Sequence, residues 1–311
     1  MKPNLEILNT FTEDTLPDLD TVVLGALEFL DDAELPVLNI GGFKKMLVVG
    51  SEGALAAGRT LFNEPNVIFR NESTYATALT LEKDIDAVVV VSASGGKHAI
   101  EVTKAAVAKD IPVLLLTNTE NSAASAFLDP SSVTVFPKNR EPYTYNTSTY
   151  MSMFLADSKE DPETIKAFIE ENVTPKIPTA LSSYEAFFLI VPAQFDAMRE
   201  MFKAKFDEMF GPELIGRVFT VEQAKHAKTV IASDSECFIS FGEANEVFGK
   251  ESNRLTIPLP PNAGPAAMMA VGYYVIGQIQ KQFPPYYKDN IKRYVAETSQ
   301  VFGQTINVIV E

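Results

Sequence analysis

The sequence is poor in the residue types that build disulfide frameworks and metal centres. It contains one cysteine, two histidines and no tryptophan among 311 residues. A single cysteine excludes an intrachain disulfide network and any zinc site made from cysteine pairs. Cys237 lies in an apolar stretch and is predicted to be a buried core thiol. Because neither cysteine nor histidine is clustered, we expect no metal and no cofactor.

The chain also lacks a surplus of basic residues. Its 26 Lys and Arg residues face 41 Asp and Glu residues, which gives a formal charge of −15 and a pI near 4.7. A nucleic-acid-binding surface must neutralise phosphates, so nucleic acid is excluded as the expected partner. A small phosphorylated metabolite is still compatible with this composition, because a single pocket can supply the donors that it needs.

Long hydrophobic runs are missing as well. No apolar stretch approaches the ~20 residues that span a bilayer, and the N-terminus lacks the apolar region of a signal peptide. The hydrophobic content of 46% and charged content of 22% are typical of a soluble globular protein. We therefore expect a cytoplasmic protein with no membrane partner.

Short apolar runs alternate with helical segments along most of the chain. This alternation predicts an α/β fold with doubly wound, mostly parallel sheets flanked by helices. The second half looks like a weaker copy of the first, with Pro175 and Pro178 at the joint. We predict an N-terminal helical segment (1–43), a first domain (44–175) and a second domain (176–311). Predicted strands cover 45–49, 66–69, 86–92, 112–116, 133–136, 186–191, 217–220, 236–241 and 254–258. Predicted helices cover 54–62, 75–81, 98–108, 122–127, 194–209, 222–231 and 266–282, with two more in 145–173.

The most informative motif is a predicted strand of valines that is followed directly by a turn rich in serine and glycine. Val88–Val91 is followed by Ser92-Ala-Ser-Gly-Gly-Lys97 and then by a helix. A helix N-terminus beside hydroxyl groups, at the carboxyl end of a buried strand, is suited to bind an anion. The turn is not a P-loop, because Val91 and His98 occupy positions that the P-loop motif reserves for glycine and a hydroxyl residue.

Several motifs together resemble the SIS (sugar isomerase) domain family, in the double-SIS form found in the isomerase part of glucosamine-6-phosphate synthase. Related phosphosugar isomerases and fructosamine-phosphate deglycases share the pattern. In the first half the motifs are Gly50-Ser51, Ser92-x-Ser94-Gly95, Thr117-Asn118 with Ser122, and Asn146–Thr149. In the second half they are Lys205-x-x-Glu208, Glu222-x-x-x-His226 and the ending 308–311.

The resemblance implies a phosphate clasp around the serine turn. Its predicted members are Ser92, Ser94, Thr117 and Ser122, and the amides of Gly95 and Gly96 are expected to help. Lys97 stands where the family usually has threonine, and it either pairs with the phosphate or lies along the helix surface. The alternative for the whole turn is an ordinary strand-to-helix loop formed by glycine and serine.

Two further segments are expected to line the sugar. Gly50 and Ser51 match the family turn that touches the sugar, although Glu52 replaces the serine that usually follows. Glu52 either is a favourable first-turn residue of a helix or alters which sugar or amine is accepted. Thr147 and Ser148 resemble sugar-lining residues; their alternative role is helix capping.

Moving a proton between carbons 1 and 2 of an open-chain sugar needs a base near the carbon. Glu208 is the candidate base, and Lys205 on the same helix face would polarise the developing enediolate oxygen. Asp207 is a rival base, and the alternative for the group is a solvated helix face. His226 resembles the family histidine that opens the sugar ring, whereas His98 is expected to be a surface residue.

The predicted function is that of an aldose–ketose isomerase, or a deglycase or deaminase, acting on a sugar or aminosugar 6-phosphate. The resemblance also implies a homodimer. A non-catalytic phosphosugar-binding regulator and a structural dimerisation module are the alternatives. If Glu208 and His226 both face the cleft near Ser92, the enzyme is favoured; if either lies outside, only the phosphosugar-binding protein remains.

Overall fold

The computed structural model describes residues 2–38, 42–226 and 230–311. Its helices are α1 (Pro3–Thr10), α2 (Leu19–Leu30), α3 (Glu52–Leu61), α4 (Tyr75–Leu81), α5 (His98–Val107), α6 (Thr147–Ser158), α7 (Pro162–Phe168), α8 (Arg199–Phe210), α9 (Val221–His226), α10 (Pro265–Gln280) and α11 (Tyr286–Phe302). Its strands are β1 (Met46–Val49), β2 (Val67–Arg70), β3 (Ala87–Val91), β4 (Val113–Thr117), β5 (Val133–Val135), β6 (Glu141–Pro142), β7 (Ala186–Val191), β8 (Ile215–Thr220), β9 (Glu236–Phe241), β10 (Arg254–Ile257) and β11 (Ile309–Val310).

The first half of the chain folds around a parallel five-stranded sheet in the order β2-β1-β3-β4-β5. Every residue of β1 and β3 is buried. This explains the unbroken apolar runs in the sequence, because helices cover both faces of the sheet and neither face needs polar side chains.

The second half contains a parallel four-stranded sheet in the order β10-β9-β7-β8. Read from its other edge, the order is β8-β7-β9-β10. If the strands of each half are numbered along the chain, this is second-first-third-fourth, the same order as β2-β1-β3-β4 in the first sheet. The two halves therefore repeat one topology, and the predicted class of two mostly parallel α/β sheets is confirmed.

The N-terminal helices take part in the core of both halves. Helix α2 packs against α6 and α7 of the first half and against α10 of the second. Its apolar face is fully buried, and the amide of Leu19 donates a hydrogen bond of 2.9 Å to Oε1 of Gln280. Helix α2 thus helps to join the two halves of the chain. The proposed domain boundaries after residues 43 and 175 stay predictions.

The C-terminal part differs most from the sequence expectation. Helix α11 was not predicted, although its buried Tyr287, Ile291 and Val295 follow a spacing of four residues. After it, β11 pairs antiparallel with β6 and fixes the chain end to the first half. Helix α9 ends at His226, and residues 227–229 of the helix predicted over 222–231 lie outside the described part. In the described ranges no helix is long and apolar enough to cross a membrane.

Candidate functional site

The turn that follows β3 is held in place by the turn that follows β4. The carbonyl of Ala93 accepts hydrogen bonds from the amide of Asn118 (2.9 Å), the hydroxyl of Thr117 (3.1 Å) and the hydroxyl of Thr119 (3.2 Å). The amide of Ala124 donates to the carbonyl of Gly95 at 2.8 Å. Segments 92–97 and 117–124 therefore form one preorganised unit at the carboxyl edge of the sheet.

Gly95 is the position at which the two turns touch most closely. Its φ of +55° suits glycine, and a Cβ placed on it would lie 2.3 Å from Oγ of Ser122 and 3.3 Å from Oγ1 of Thr117. Both of these hydroxyl residues are buried beneath the turn. The structure thus brings the predicted clasp residues together, but Thr117 and Ser122 support the turn from below and do not line the cavity above it.

Above the turn lies a cavity of about 250 Å³, here called the turn cavity. The residues that line it include Gly50, Ser51, Ser92, Ser94, Gly96, Lys97, His98, Tyr143, Asn146, Thr149 and Tyr150. Helix α5 begins at its edge. Within the described ranges, the amides of Ser94 and Lys97 and the hydroxyl of Ser92 form no hydrogen bond, so these donors are available to an anion.

Lys97 is held over the turn cavity in a backbone conformation that is unusual for a lysine. Its φ is +48° and its ψ is −124°. The ammonium Nζ donates to the hydroxyl of Tyr143 at 3.2 Å and lies 4.3 Å from the ring centroid of Phe302. No carboxylate of the described residues lies within ion-pair distance of it. Burial lowers the pKa of Lys97, and an anion is the partner that this half-buried ammonium lacks.

A second cavity of about 310 Å³, the central cavity, adjoins the turn cavity. Ser51, Lys97, His98, Tyr143 and Tyr150 line both of them. The central cavity continues to Lys205 and Glu208 on α8 of the second half. The two halves of the chain thus share one cleft.

Lys205 and Glu208 form an ion pair at the base of the central cavity. Nζ of Lys205 donates to Oε2 of Glu208 at 2.6 Å and also to the carbonyls of Thr144 (2.7 Å) and Tyr145 (2.9 Å). The side chain of Lys205 is 3% exposed and that of Glu208 is 26% exposed. The spacing of three residues along one helix turn brings them together.

Burial raises the pKa of Glu208, and this effect outweighs the neighbouring Lys205 ammonium, which lowers it. The negative charges of Glu52 and Asp207 raise it further. A carboxylate with a raised pKa is suited to accept and return a proton near neutral pH. Asp207, the rival base, is exposed and is absent from the lining of the central cavity.

Thr147 and Ser148 are turned away from the cleft. The carboxylate of Glu141, itself buried, accepts from the amide of Thr147 (2.8 Å) and from the hydroxyl of Ser148 (3.2 Å). Glu141 thus caps the start of α6 in place of a residue of the helix itself, and the hydroxyl of Ser148 also accepts from the amide of Asn139 at 3.1 Å. Asn146 and Thr149 of the same segment line the turn cavity instead.

His226 does not face the cleft of its own chain. Leu189 of β7 packs into the same core as α8 and α10, whereas Phe188 and Ile190 pack with Ala224 of α9. Successive strand residues point to opposite faces of a sheet, so α9 lies across the second sheet from α8. His226 is exposed there, while His98, expected to be a surface residue, is exposed at the lining of both cavities.

Some lining residues were not predicted from the sequence. Glu72, Tyr143 and Tyr294 line the central cavity, and Oε2 of Glu72 is buried with no hydrogen-bond partner in the described part of the chain. No local motif marks them, since they come from a loop after β2, a loop after β6 and helix α11.

Four of the nine non-glycine residues with positive φ in the described ranges line the central cavity. Glu52, Lys97, Thr144 and Asn146 all line it, and all have positive φ, from 37° at Glu52 to 72° at Thr144. Such conformations cost on the order of 1–3 kcal/mol each for residues other than glycine. They cluster at ligand sites when the surrounding structure holds them, and this supports a functional role for the cleft.

The described ranges contain no group of three or more histidine, cysteine, aspartate or glutamate side chains arranged to hold a metal ion.

Comparison with family sequence models and with curated proteins finds no match. Comparison with solved structures finds a consistent likeness. The chain is similar to the C-terminal domain of glucosamine-fructose-6-phosphate aminotransferase from Francisella tularensis, with a TM-score of 0.59 and 12% identity over 91% of this chain and 98% of that one.

Two other solved structures show the same likeness. One is glucosamine-6-phosphate deaminase from Thermotoga maritima, with a TM-score of 0.56 and 14% identity over 88% of this chain and 93% of that one. The other is tagatose-6-phosphate ketose/aldose isomerase from Escherichia coli, with a TM-score of 0.56 and 11% identity over 87% and 89%. The chain has the double-SIS fold, with two SIS-type parallel sheets in one polypeptide.

Proposed function

We propose that the protein is a sugar-phosphate enzyme that moves a proton between carbons 1 and 2 of its substrate. The phosphate would bind in the turn cavity, and the sugar would extend through the central cavity toward Glu208. One observation carries this proposal: the Lys97 ammonium, which has no ion-pair partner among the described residues, and the partly buried Glu208 carboxylate, whose pKa is raised, face one continuous cleft.

The turn cavity supplies what a phosphate needs. The amides of Ser94 and Lys97, the hydroxyl of Ser92 and the start of α5 provide donors and a positive dipole end. Lys97 adds a full charge that has no acidic partner among the residues described. In an acidic protein, this is a local positive site within an otherwise negative surface.

The ion pair on α8 supplies the acid–base group. Because Glu208 is close to the cavity and only partly exposed, it can take a proton from carbon 1 and return it to carbon 2. Nζ of Lys205 already donates to three oxygens, so we infer that it is a positioning residue that holds Glu208. This differs from the predicted role of Lys205, in which it contacts the enediolate oxygen directly.

A phosphosugar-binding protein without catalysis is the second candidate, because His226 lies outside the cleft of its own chain and so meets the condition given above for binding alone. The enzyme is kept first because the candidate carbon base, Glu208, does line the cleft. Since this histidine lies across the second sheet from Glu208, it can open a sugar ring only in the cleft of a second copy of the chain. The homodimer predicted from the resemblance would provide that copy, and sedimentation of the purified protein would measure it.

The two candidates are separated by binding and hydrogen exchange measured on the same samples. Calorimetry with hexose 6-phosphates and aminosugar 6-phosphates tests binding, and NMR in D₂O detects deuterium incorporated at carbon 1 or 2. We expect Glu208→Gln to retain binding within about threefold and to lose exchange by about 10²–10⁴-fold. Glu297→Gln, which changes an exposed carboxylate on α11, is the matched control.

Each alternative result has a distinct meaning. Binding without exchange in the unaltered protein would support the non-catalytic candidate. Loss of exchange in Asp207→Asn together with full exchange in Glu208→Gln would move the base to Asp207. Absence of binding by every sugar phosphate would refute the proposal.

A further inference from the structure

The turn cavity contains a second ammonium group that the function proposed above does not use. Lys138 lines this cavity together with Lys97, Ser92 and Ser94. Lys138 follows β5 in the chain, whereas Lys97 follows β3. Both strands belong to the first parallel sheet, so their carboxyl ends lie at the same edge of it. The sheet therefore brings two lysines from distant parts of the chain to one cavity.

The backbone on both sides of Lys138 is held by hydrogen bonds. The amide of Phe136 donates to the carbonyl of Thr117 at 2.8 Å, and the carbonyl of Phe136 accepts from the side-chain amide of Asn118 at 3.3 Å. The amide of Asn139 donates to a hydroxyl at the start of α6 at 3.1 Å. Thr117 and Asn118 also donate to the serine turn. The position of Lys138 relative to that turn is therefore fixed through the end of β4, which both segments contact.

Neither lysine of the turn cavity has an acidic partner. Among the described residues, no carboxylate lies within ion-pair distance of Nζ of Lys97 or of Lys138. Glu72 lines the cavity as well, and it forms no ion pair with either of them. Burial lowers the pKa of both lysines, and at Lys138 the carboxylate of Glu141 raises it again by a smaller amount. Because desolvation disfavours a charge without a partner, each ammonium is stabilised by a negative charge placed in the cavity.

We propose that Lys138 is a second phosphate-binding residue and that, together with Lys97, it makes the turn cavity selective for a dianion. The inference rests on the proposed function, in which the phosphate of the substrate occupies this cavity. A phosphate monoester carries about two negative charges at about pH 8, because its second pKa is about 6. Each ammonium can then bind a charged oxygen, while the amides and hydroxyls of the serine turn bind the remaining lone pairs. A ligand with one negative charge would leave one of the two ammonium groups without a partner.

The two lysines distinguish this cavity from a clasp made only of hydroxyl and amide donors. Such a clasp matches the tetrahedral oxygens of a phosphate or a sulfate group, and it has no full charge with which to distinguish them. A sulfate monoester has the same tetrahedral shape as a phosphate monoester and a single negative charge. The 6-phosphate and the 6-sulfate of one sugar therefore differ mainly in the property that Lys138 is proposed to recognise.

The test is titration calorimetry of the full chain at about pH 8 with fructose 6-phosphate and fructose 6-sulfate. We expect the phosphate to bind at least about tenfold more tightly than the sulfate. Lys138→Met removes the charge and keeps most of the aliphatic stem. It should weaken the phosphate about 10–150-fold and reduce the ratio of phosphate to sulfate affinity at least about fivefold. Lys138→Arg keeps the charge and should retain that ratio within about threefold. Lys109→Met, a change of an exposed lysine outside the cavity lining, is the matched control.

The outcomes separate this inference from the function on which it rests. If fructose 6-phosphate binds and Lys97→Ala weakens it, but Lys138→Met changes neither affinity, the role of Lys138 is refuted and the proposed function stands. Equal weakening of both esters by Lys138→Met, or equal affinity of the unaltered protein for both, refutes the selectivity for a dianion. If Lys138→Met does not fold, Lys138→Gln provides the same comparison with a polar, uncharged side chain. If neither ester binds, both proposals fail.

Discussion

Lys97 offers a quantitative test of the cleft, because its backbone and its charge can be changed separately. Its φ of +48° and ψ of −124° belong to a region that glycine occupies freely and other residues occupy at a cost of about 1–3 kcal/mol. The ammonium at the other end of the residue has Tyr143 and Phe302 as neighbours and no carboxylate within ion-pair distance in the described ranges.

Two substitutions separate these effects. Lys97→Ala and Lys97→Gly both remove the ammonium, and only Lys97→Gly relieves the backbone strain. From the middle of the strain range, about 2 kcal/mol, we subtract about 0.75 kcal/mol for the greater freedom of glycine in the unfolded chain. The glycine variant should then be more stable by about 1.25 kcal/mol, within outer limits of about 0–2.5 kcal/mol. The unfolding entropy of a 311-residue protein is about 0.65 kcal/mol/K, so its Tm should be about 1–3 °C above that of the alanine variant.

Binding should respond differently from stability. A hydrogen bond to a charged group contributes about 1.5–3 kcal/mol, so both variants should bind a hexose 6-phosphate about 10–150-fold more weakly than the unaltered protein. Scanning calorimetry measures the first difference and titration calorimetry the second. The two readouts use the same pair of proteins.

Equal Tm values for the two variants, or a higher Tm for Lys97→Ala, would show that the backbone at Lys97 is not strained. Unchanged affinity in both variants would show that the ammonium is not part of an anion site. Either result would refute the corresponding half of the reasoning.

Three further predictions concern neighbouring groups. Deuterium exchange should fall as the pH is lowered through the pKa of Glu208, because only the ionised carboxylate can accept a proton. Since that pKa is raised, the fall should occur above the ordinary range of a glutamate. A pH profile in which exchange is lost only near about pH 4 would contradict this prediction. Gly95→Ala should lower the unfolding free energy by about 1–3 kcal/mol in urea titrations and should weaken phosphate binding. The reason is that the new Cβ would lie 2.3 Å from Oγ of Ser122 at a φ of +55°. Unchanged stability and unchanged phosphate affinity would show that the two turns can separate freely. Glu141→Ala should lower the unfolding free energy by about 2–4 kcal/mol, because it leaves the amide of Thr147 and the hydroxyl of Ser148 without their buried acceptor; an unchanged urea midpoint would contradict the capping role.

Much of the architecture could be predicted from local sequence patterns. Runs such as Val88–Val91 are apolar at every position because both faces of a central parallel strand are covered. Alternation with helical segments then restricts the fold to a doubly wound sheet. The serine- and glycine-rich turn after β3 and the placement of Lys205 and Glu208 on one helix face were also predictable, because each depends on residues that are close in sequence.

The remaining features depend on packing between distant segments. His226 and Glu208 were both predicted as catalytic residues from short motifs on helices. They lie on opposite faces of the second sheet, because α9 packs on one face and α8 on the other. Thr147 and Ser148 are hydroxyl residues of the kind that line ligand sites. They lie in the protein interior instead, where the buried carboxylate of Glu141 accepts their hydrogen bonds.

Local sequence patterns were enough to predict two repeated parallel sheets and the serine-rich turn after β3, since strand burial and turn chemistry are encoded within a few residues. Packing between distant segments decides which side chains meet in the cleft, and it also forms the cavity of about 650 Å³ beside Glu208 between α3, α8 and α11. The physical reason is that a cavity is the space left between elements that are far apart in the chain, and no local pattern specifies that space.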